Sequence, residues 1–372
     1  MNIPPLPHVE CALLHDSFAP IDGQELFNLV QALAAKFGYG TQCQLIISST
    51  HKDIHVFVGD HRILISQNER PLGPEGFQTA LSTPFTSMVF PHARDVVMRH
   101  AANTFITVGK GPAPIPNDLM RADATGMIAK ISAFTTSHEA LRAINLCQSL
   151  TAYVAGRHAA SAVHWCVSDN LVPPAFFDKA VQSGDVTLLN IRPFLTSSSG
   201  RLGPGLPIGV TANGSQWLLG KVVMVEEAAV PLEWMLTMLY GFVHVCLQRG
   251  ALLEHNHSFS VEGQDWQVGV FHEKIEDFDG WEMVRLKIMH LPEYGIHGKV
   301  PAKRTISYKS VEDLKHQAAV ERATSPANAT SVAQLRAMAR SSAANTSGSA
   351  SQSGRQHGIG RRLRSLFGAK PH

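Results

Sequence analysis

The sequence is poor in cysteine, and its five cysteines are widely spaced. Their number is odd and no C-x-x-C pair occurs, which is unlike the disulfide framework of a small secreted protein. Four of them lie in largely apolar stretches, namely Cys11, Cys147, Cys166 and Cys246. We therefore expect buried, free thiols in a reducing cytoplasm.

Long apolar runs are also absent. The best candidate, residues 230–247, is interrupted by Glu233, Thr237, Gly241 and His244, whereas a membrane-spanning helix needs roughly 18 or more predominantly apolar residues. The opening decapeptide, MNIPPLPHVE, lacks the basic and apolar regions of a secretory signal. The sequence thus predicts a soluble, cytoplasmic protein.

Acidic residues are missing from the last part of the chain, because none follows Glu321. Eight basic residues lie there, at positions 322, 336, 340, 355, 361, 362, 364 and 370. Subtracting these from the 32 basic residues leaves 24 against 30 acidic ones, so the preceding part has a net charge of −6. Phosphate contacts require clustered lysine and arginine, so we expect no nucleic-acid binding by the folded part.

Motifs with a defined chemistry are missing as well. No G-x-S-x-G nucleophile elbow occurs, so a hydrolase triad has no visible serine. Residues 109–111, Gly-Lys-Gly, resemble the start of a phosphate-binding loop, but the Gly-Lys-Ser/Thr ending is absent. The prolines at 112, 114 and 116 also have no N–H to offer a phosphate. We predict no cofactor, and the sequence favours a non-enzymatic protein.

What the sequence does contain is an alternation of strand and helix patterns. Before residue 109, the patterns predict strands at 9–15, 54–59, 62–67 and 104–108, with helices at 24–37 and 74–81. This order, β-α-β-β-α-β, is the ferredoxin-like alternation.

The second half contains two long helical patterns, at 137–156 and 230–250, of which the first has apolar positions Ala143, Cys147, Leu150 and Val154 on one face. A shorter helix follows Pro173-Pro174, and strands are predicted at 162–167, 186–195, 221–225, 267–272 and 282–289. The strict rhythm of a parallel sheet is lacking, so the pattern predicts an α+β fold with two mixed halves.

Composition divides the chain into four regions. We predict an N-terminal α+β half at 1–108, a Gly/Pro-containing linker at 109–136 and a C-terminal α+β half at 137–310. Residues 311–372 become rich in Ser, Ala, Thr, Gly and Asn, a composition that buries too little apolar surface to order the chain. They are predicted to form a mostly disordered, basic tail.

Several segments of the second half share an order and local texture with a known family. They are Ala162–Trp165, Pro173–Phe177, Leu189–Arg192, Gly209–Thr211, Leu219–Glu226 and Arg249–Leu253, with His100–Ile106 upstream. Over roughly residues 90–290, the chain resembles the uncharacterised bacterial family called domain of unknown function 4261. The resemblance implies a fold and a bacterial origin, but no reaction. After the long helix, where members usually carry an acidic-glycine turn, this chain has Glu254-His255-Asn256-His257.

Histidine is abundant, with 19 residues, and one group is close to acidic residues. His255 and His257 would point to one face if both lay on a strand, and His272 follows further on. With Glu254, Asp277 and Asp279, these histidines are candidate metal ligands, which would make the chain a metal-dependent enzyme using residues 254–279. The alternative, which we favour, is a polar hairpin, because nothing in the sequence fixes three or four ligands.

A second candidate pair is Cys166 with His164. Two residues apart on a strand, their side chains would share a face, so His164 could act as base for a cysteine nucleophile. The surrounding residues are apolar and no third group to orient the histidine is visible in the sequence. A buried structural thiol is therefore the favoured interpretation.

The end of the tail has an amphipathic pattern. Ile359, Leu363, Leu366 and Phe367 recur at helical spacing, while Arg361, Arg362, Arg364 and Lys370 supply positive charge. Such a segment suits weak contact with an anionic membrane surface or an acidic partner, at ~1 kcal/mol for each basic residue. The alternative is a solvated tail with chance periodicity. The sequence thus favours a non-enzymatic binding or scaffold module with a basic tether.

Overall fold

The computed structural model describes residues 1–39, 43–47, 52–111, 132–202, 205–274 and 282–299, together with the backbone of 303–308. Helices and strands are mixed throughout these residues, which confirms the predicted α+β class. The predicted disordered tail at 311–372, with its four basic contact residues, lies outside the described residues.

The strands of the N-terminal part are β1 (Asn2–Leu6), β2 (His8–His15), β3 (Cys43–Ile47), β4 (Asp53–Val58), β5 (His61–Asn68), β6 (Ala102–Lys110), β7 (Phe134–Thr136), β8 (Ala162–Trp165) and β9 (Asn170–Val172). Those of the C-terminal part are β10 (Arg192–Thr196), β11 (Ile208–Asn213), β12 (Val222–Ala228), β13 (His257–Val261), β14 (Gln267–Lys274), β15 (Glu282–Leu291), β16 (Ile296–His297) and β17 (Lys303–Tyr308).

The helices are α1 (Gly23–Phe37), α2 (Gln78–Leu81), α3 (Pro84–Val89), α4 (Ala93–Arg99), α5 (Ser137–Arg157), α6 (Pro174–Ser183), α7 (Val186–Asn190), α8 (Ser215–Leu219) and α9 (Leu232–Arg249). Short 3₁₀ turns occupy Pro74–Phe77 and Pro292–Tyr294. Local signals fix several ends: the Asp22 carboxylate accepts two backbone N–H groups at the start of α1, and Gly38 ends that helix in the left-handed conformation.

The first sheet has the strand order β3-β4-β5-β6-β2-β8-β9, and each neighbouring pair is antiparallel. The predicted alternation is present along the chain, with β3 as an additional strand. In space, β2 lies between β6 and β8. The small β1–β7 pair forms beside this sheet.

Helices cover both faces of the first sheet. α1 and α5 pack on one face, where the predicted stripe of Ala143, Cys147, Leu150 and Val154 is buried. On the other face, α2 to α4 cover a smaller core that contains Leu14, Phe77, Val97 and Leu171. The β2 residues Leu13 and Leu14 therefore belong to different cores, as alternation along a strand requires.

The second sheet has the order β10-β11-β12-β15-β14-β13-β17, with β16 paired to β15. The β12–β15 and β13–β17 pairs are parallel and the others antiparallel. Its inner face is apolar, and α9 packs against it; the Phe242 and Phe259 rings, for example, meet edge to face at 5.8 Å. The opposite face is called the outer face below.

One strand prediction is wrong. Residues 186–195 form the short helix α7 followed by β10, not a continuous strand. The Asp185 carboxylate accepts the Thr187 backbone N–H at 3.0 Å and so caps α7. Asn190 then joins three elements, because its side-chain oxygen accepts from Trp165 Nε1 at 2.9 Å and from Gln148 Nε2 at 3.3 Å.

The predicted boundary at 109–136 does not coincide with the edges of the sheets. β8 and β9, which lie beyond that boundary in the chain, complete the first sheet by pairing with β2. One continuous hydrophobic core includes residues on both sides of the boundary, from Ile3 to Leu291. Residues 112–131 of the linker lie outside the described residues. In the part of the chain that is described, no helix has both the length and the apolar character needed to cross a membrane.

Candidate functional site

The predicted histidine pair, His255 and His257, does not lie on one strand. His255 belongs to the turn before β13, and Asn256 between them is in the left-handed region with φ of +64°. Because residues in a turn do not alternate between two faces as residues in a strand do, the two imidazole rings contact different partners. His255 Nδ1 accepts the His272 backbone N–H at 3.0 Å, whereas His257 Nε2 lies 3.3 Å from a Glu254 carboxylate oxygen.

His272 is also held by protein groups. Its Nε2 donates to the Leu253 carbonyl at 2.7 Å, and the Lys221 ammonium donates to its Nδ1 at 3.0 Å. Burial, with the nearby Lys221 charge, lowers the pKa of His272, while Lys221 also pairs with Glu282 at 2.6 Å. No group of three or more His, Cys, Asp or Glu is arranged to hold a metal within the described ranges, and Asp277 and Asp279 lie outside them.

Lys110, the lysine of the loop-like Gly-Lys-Gly segment, ends β6 and is paired with Glu139 at 2.5 Å. The Thr135 backbone N–H donates to the other oxygen of the same carboxylate at 3.1 Å. These hydrogen bonds lower the pKa of Glu139 to about 2. The lysine thus joins β6 to α5.

The Cys166–His164 pair does acquire a third group in the structure. β8 ends at Trp165, and the following turn returns the chain so that Asp169 faces His164. Asp169 Oδ1 lies 2.7 Å from His164 Nε2, and Cys166 Sγ lies 3.9 Å from Nδ1 of the same ring. Thiol, imidazole and carboxylate therefore stand in series, and we call these three residues the β8 turn cluster.

Arg192 anchors the far end of this cluster. Its guanidinium lies 3.2 Å from the second Asp169 oxygen, and its Nε donates to the Ser168 carbonyl at 3.0 Å. A third contact runs to the Thr79 carbonyl at 3.3 Å. Only 5% of the Arg192 side chain is exposed, so this arginine fixes the carboxylate and has little surface for a ligand.

The electrostatics of the cluster keep the thiol protonated at neutral pH. Burial raises the pKa of Cys166 to about 12, and the negative charges of Glu10 and Asp169 contribute to the increase. Cys166 is nonetheless half-buried, in contrast to the fully buried Cys11, Cys147 and Cys246. The sequence contains one signal for Asp169, which is an acidic residue three positions after the cysteine and lies between the polar residues Ser168 and Asn170. Its contact with His164 depends on the turn after β8 and is not visible in the sequence.

The outer face of the second sheet is a separate candidate surface. One row crosses five strands in register and is formed by Phe194, Thr211, Met224, Arg285 and Phe271. None of these side chains is buried. In the adjacent inner row, four residues are fully buried, namely Val210, Val225, Leu286 and Val270. The alternation of apolar and polar residues along each strand predicts one buried and one accessible face. Which residues of neighbouring strands lie side by side depends on the strand register.

Charges on the outer face are paired with one another. Arg285 bridges Glu226 at 2.5 Å and Glu273 at 2.6 Å, and Lys287 lies 3.0 Å from Glu226. The Arg285 guanidinium also lies over the Phe271 ring, 5.1 Å from its centroid. Two acidic and two basic side chains thus leave this network with no net charge.

Phe194 is the most prominent apolar residue of this surface, with 49% of its area exposed. It lies on β10, the edge strand of the sheet. Pro193 precedes it and has no backbone N–H, a feature that disfavours the addition of another strand at an edge. A partner would therefore contact the face of the sheet.

Comparison of the chain with protein-family models, with curated proteins and with solved structures finds no match. The resemblance to the family called domain of unknown function 4261 stays a prediction.

Proposed function

We propose that this chain is a cytoplasmic binding module that contacts a protein partner through the outer face of its second sheet. The observation that carries the proposal is the in-register row from Phe194 to Phe271, which remains accessible on an otherwise well-packed sheet. Phenylalanine, methionine and arginine are the residue types enriched where protein interfaces form.

The charge pattern favours a protein over a nucleic acid. A nucleic acid requires basic groups that are available to phosphates, but Arg285 and Lys287 are each engaged by carboxylates. A neutral network around exposed apolar side chains suits a partner surface that is itself mainly apolar, with few charges.

The area of the outer face indicates a weak contact. Five strands about 4.8 Å apart and about six residues long cover roughly 400 Å², which is about half of what one partner contributes to a standard interface. The predicted basic tail, with Arg361, Arg362, Arg364 and Lys370, would add a second weak contact to an anionic surface. Two linked weak contacts strengthen each other by raising the effective concentration.

Site-specific photocrosslinking tests the proposed face. A photoreactive residue is placed at Phe194 of the full-length protein or, as a control, at Met98, which is 67% exposed on α4. We expect a protein species that crosslinks from position 194 in source-cell lysate and not from position 98. Phe194→Asp should lower recovery of that species by about tenfold, the loss of one interface hot spot, while Met98→Asp leaves it unchanged.

Identical crosslinks from both positions, or recovery insensitive to Phe194→Asp, would refute the proposed face. Deleting residues 324–372 tests the tether independently. The truncated protein should keep its thermal midpoint but lose salt-sensitive binding to vesicles containing phosphatidylserine. If binding to vesicles survives the deletion, the tether proposal fails while the outer-face proposal stands.

The metal-dependent alternative gains no specific support from the described residues, because His255 and His272 are committed to protein hydrogen bonds. Elemental analysis of the untagged full-length protein decides it directly. A stoichiometric metal that is lost on combined His255→Ala and His257→Ala substitution would restore this alternative.

A further inference from the structure

The β8 turn cluster has a directional arrangement that the proposed binding function does not use. The Asp169 carboxylate can only accept, so His164 Nε2, 2.7 Å away, carries the ring proton. His164 Nδ1 therefore presents its lone pair. The Cys166 thiol lies 3.9 Å from that nitrogen and 3.8 Å from the His164 carbonyl oxygen, and either atom can accept its hydrogen. A nucleophile, a base and a group that orients the base thus occur in the required order.

We propose that Cys166 is a nucleophile for acyl transfer, with His164 as its general base and Asp169 as a positioning residue. The substrate class is an ester or thioester, because a thiol nucleophile with a general base transfers acyl groups. The substrate is small, because the thiol is only partly exposed beside the half-buried His164 ring. Phe77 packs 5.1 Å from that ring and limits its movement.

The reaction consists of acylation of Cys166 followed by hydrolysis of the resulting thioester. The Cys166 Sγ attacks the acyl carbon as its proton passes to His164 Nδ1, forming a tetrahedral intermediate. Collapse of that intermediate breaks the bond to the leaving alkoxide or thiolate, which takes the proton from the imidazolium and leaves an acyl-thioester on Cys166. Water then attacks the thioester carbon as its proton passes to the same nitrogen. The C–S bond breaks, the carboxylic acid leaves, and Sγ takes the proton back from the imidazolium, which restores the thiol.

The raised pKa of the thiol decides how it reacts. Because the pKa of Cys166 is raised, the thiol form is favoured at neutral pH and the proton leaves during the attack, as in a serine nucleophile. Glu10 opposes the reaction, because its negative charge contributes to that increase. Glu10→Gln should therefore increase the rate of acylation of Cys166.

The backbone at Asp169 provides an independent argument. This residue has φ of +56°, a conformation that glycine adopts without strain. An aspartate can tolerate it, and here its carboxylate reaches both His164 and Arg192. Asp169→Gly would relieve the backbone while removing the carboxylate, so it separates the shape of the turn from the chemistry of the side chain.

Acylation by p-nitrophenyl acetate, followed by peptide mass spectrometry on the full-length protein, tests the proposal. Cys43, the other half-buried cysteine, is an internal control. We expect acetylation of Cys166 at least about a hundredfold faster than of Cys43, the lower end of the range for general-base assistance. His164→Gln should abolish that advantage and leave the Cys43 rate unchanged.

Asp169→Asn and Asp169→Gly should both slow acetylation of Cys166, with partial recovery in Asp169→Glu. A merely structural role would instead let Asp169→Gly keep or exceed the wild-type rate. The proposal is overturned if Cys166 reacts no faster than Cys43 in the unmodified protein, a comparison that needs no variant to fold. It is equally overturned if His164→Gln, still folded by circular dichroism, leaves the Cys166 rate unchanged.

Discussion

The Lys110–Glu139 pair joins the last residue of β6 to the first turn of α5. The Glu139 carboxylate accepts from the Lys110 ammonium through one oxygen and from the Thr135 backbone N–H through the other. It also lies in the first turn of the helix, where negative charge is favourable. These contacts favour the ionised form, which is why its pKa falls to about 2.

The lowered pKa predicts how stability depends on pH. A carboxyl group with a depressed folded-state pKa stabilises the protein above its unfolded-state pKa, and that contribution is lost as pH falls through the folded-state value. For Glu139 the window lies between about 4.5 and about 2. We expect Glu139→Gln to lower the free energy of unfolding at pH 7 and to flatten its decline within this window, as measured by urea denaturation.

Glu69→Gln is the matched control, because Glu69 forms an exposed pair with Lys52 at 3.4 Å. Exposed pairs contribute little to stability, so this variant should unfold like the unmodified protein across the same pH range. Equal effects of the two substitutions would contradict the role given to the Lys110–Glu139 pair.

The residue scale also shows where sequence reasoning about sites fails. His255 and His257 are neighbours in sequence, but the left-handed Asn256 between them sends their rings to different partners. His164 and Asp169 are five residues apart, yet the turn after β8 brings them within 2.7 Å. Spacing identifies candidates only while the backbone between them is regular.

At the scale of elements, glycines with positive φ control how loops meet the core. Gly214 precedes α8 with φ of +99°, and a Cβ atom there would lie 2.0 Å from the Asn190 carbonyl oxygen. Gly250 ends α9 with φ of +65°, but nothing lies within 4 Å of its Cβ position. Both glycines have a positive φ, but only at Gly214 does another part of the backbone lie close to the Cβ position.

Gly250→Ala should therefore cost about 1 kcal/mol of unfolding free energy, the penalty of a left-handed alanine. Gly214→Ala should cost at least about 3 kcal/mol, because conformational strain is joined by a backbone clash that forces Gly214 or Asn190 to move. Urea denaturation of both variants measures the difference. If the two variants lose similar unfolding free energies, the backbone before α8 adapts to the added Cβ atom, and the close contact between Gly214 and Asn190 is not a constraint.

Secondary structure was predictable wherever one face of an element is buried and the other is not. The apolar stripe of α5 and the strands β14 and β15 follow that rule, and their positions agree with the predictions. Residues 186–195 do not, because the apolar residues of α7 and β10 follow one another in sequence, with only the extended Ile191 between the two elements. Short apolar runs do not distinguish helix from strand.

At the scale of the whole molecule, the two sheets share one core. α5 buries eleven of its 21 residues and packs against β2 and β6 of the first sheet. The small α8 contacts both α5 and α9, and its end meets β1, since a Cβ on Gly220 would lie 2.1 Å from the Asn2 carbonyl oxygen. The first sheet therefore depends on residues that follow position 136, because α5 covers it and β8 and β9 complete it.

This arrangement predicts the behaviour of fragments. A fragment of residues 1–108 lacks α5 and β8, so it would expose the apolar face of β2 and should show no cooperative thermal unfolding by circular dichroism. The chain truncated at residue 323 should keep its thermal midpoint within about 2 °C, a shift that corresponds to about 1 kcal/mol for a chain of this length. A sigmoidal transition for the 1–108 fragment would contradict the shared core.

Composition and local patterns were sufficient to predict the α+β class, the long helices, and the charge difference between the body and the last 51 residues. Each of these depends on composition or on contacts between residues near in sequence, which periodicity rules describe. The pairing of β2 with β8, the row on the outer face and the contact of Asp169 with His164 appear only in the folded structure. Strand order and register depend on contacts between distant residues, for which a single sequence carries no local signal.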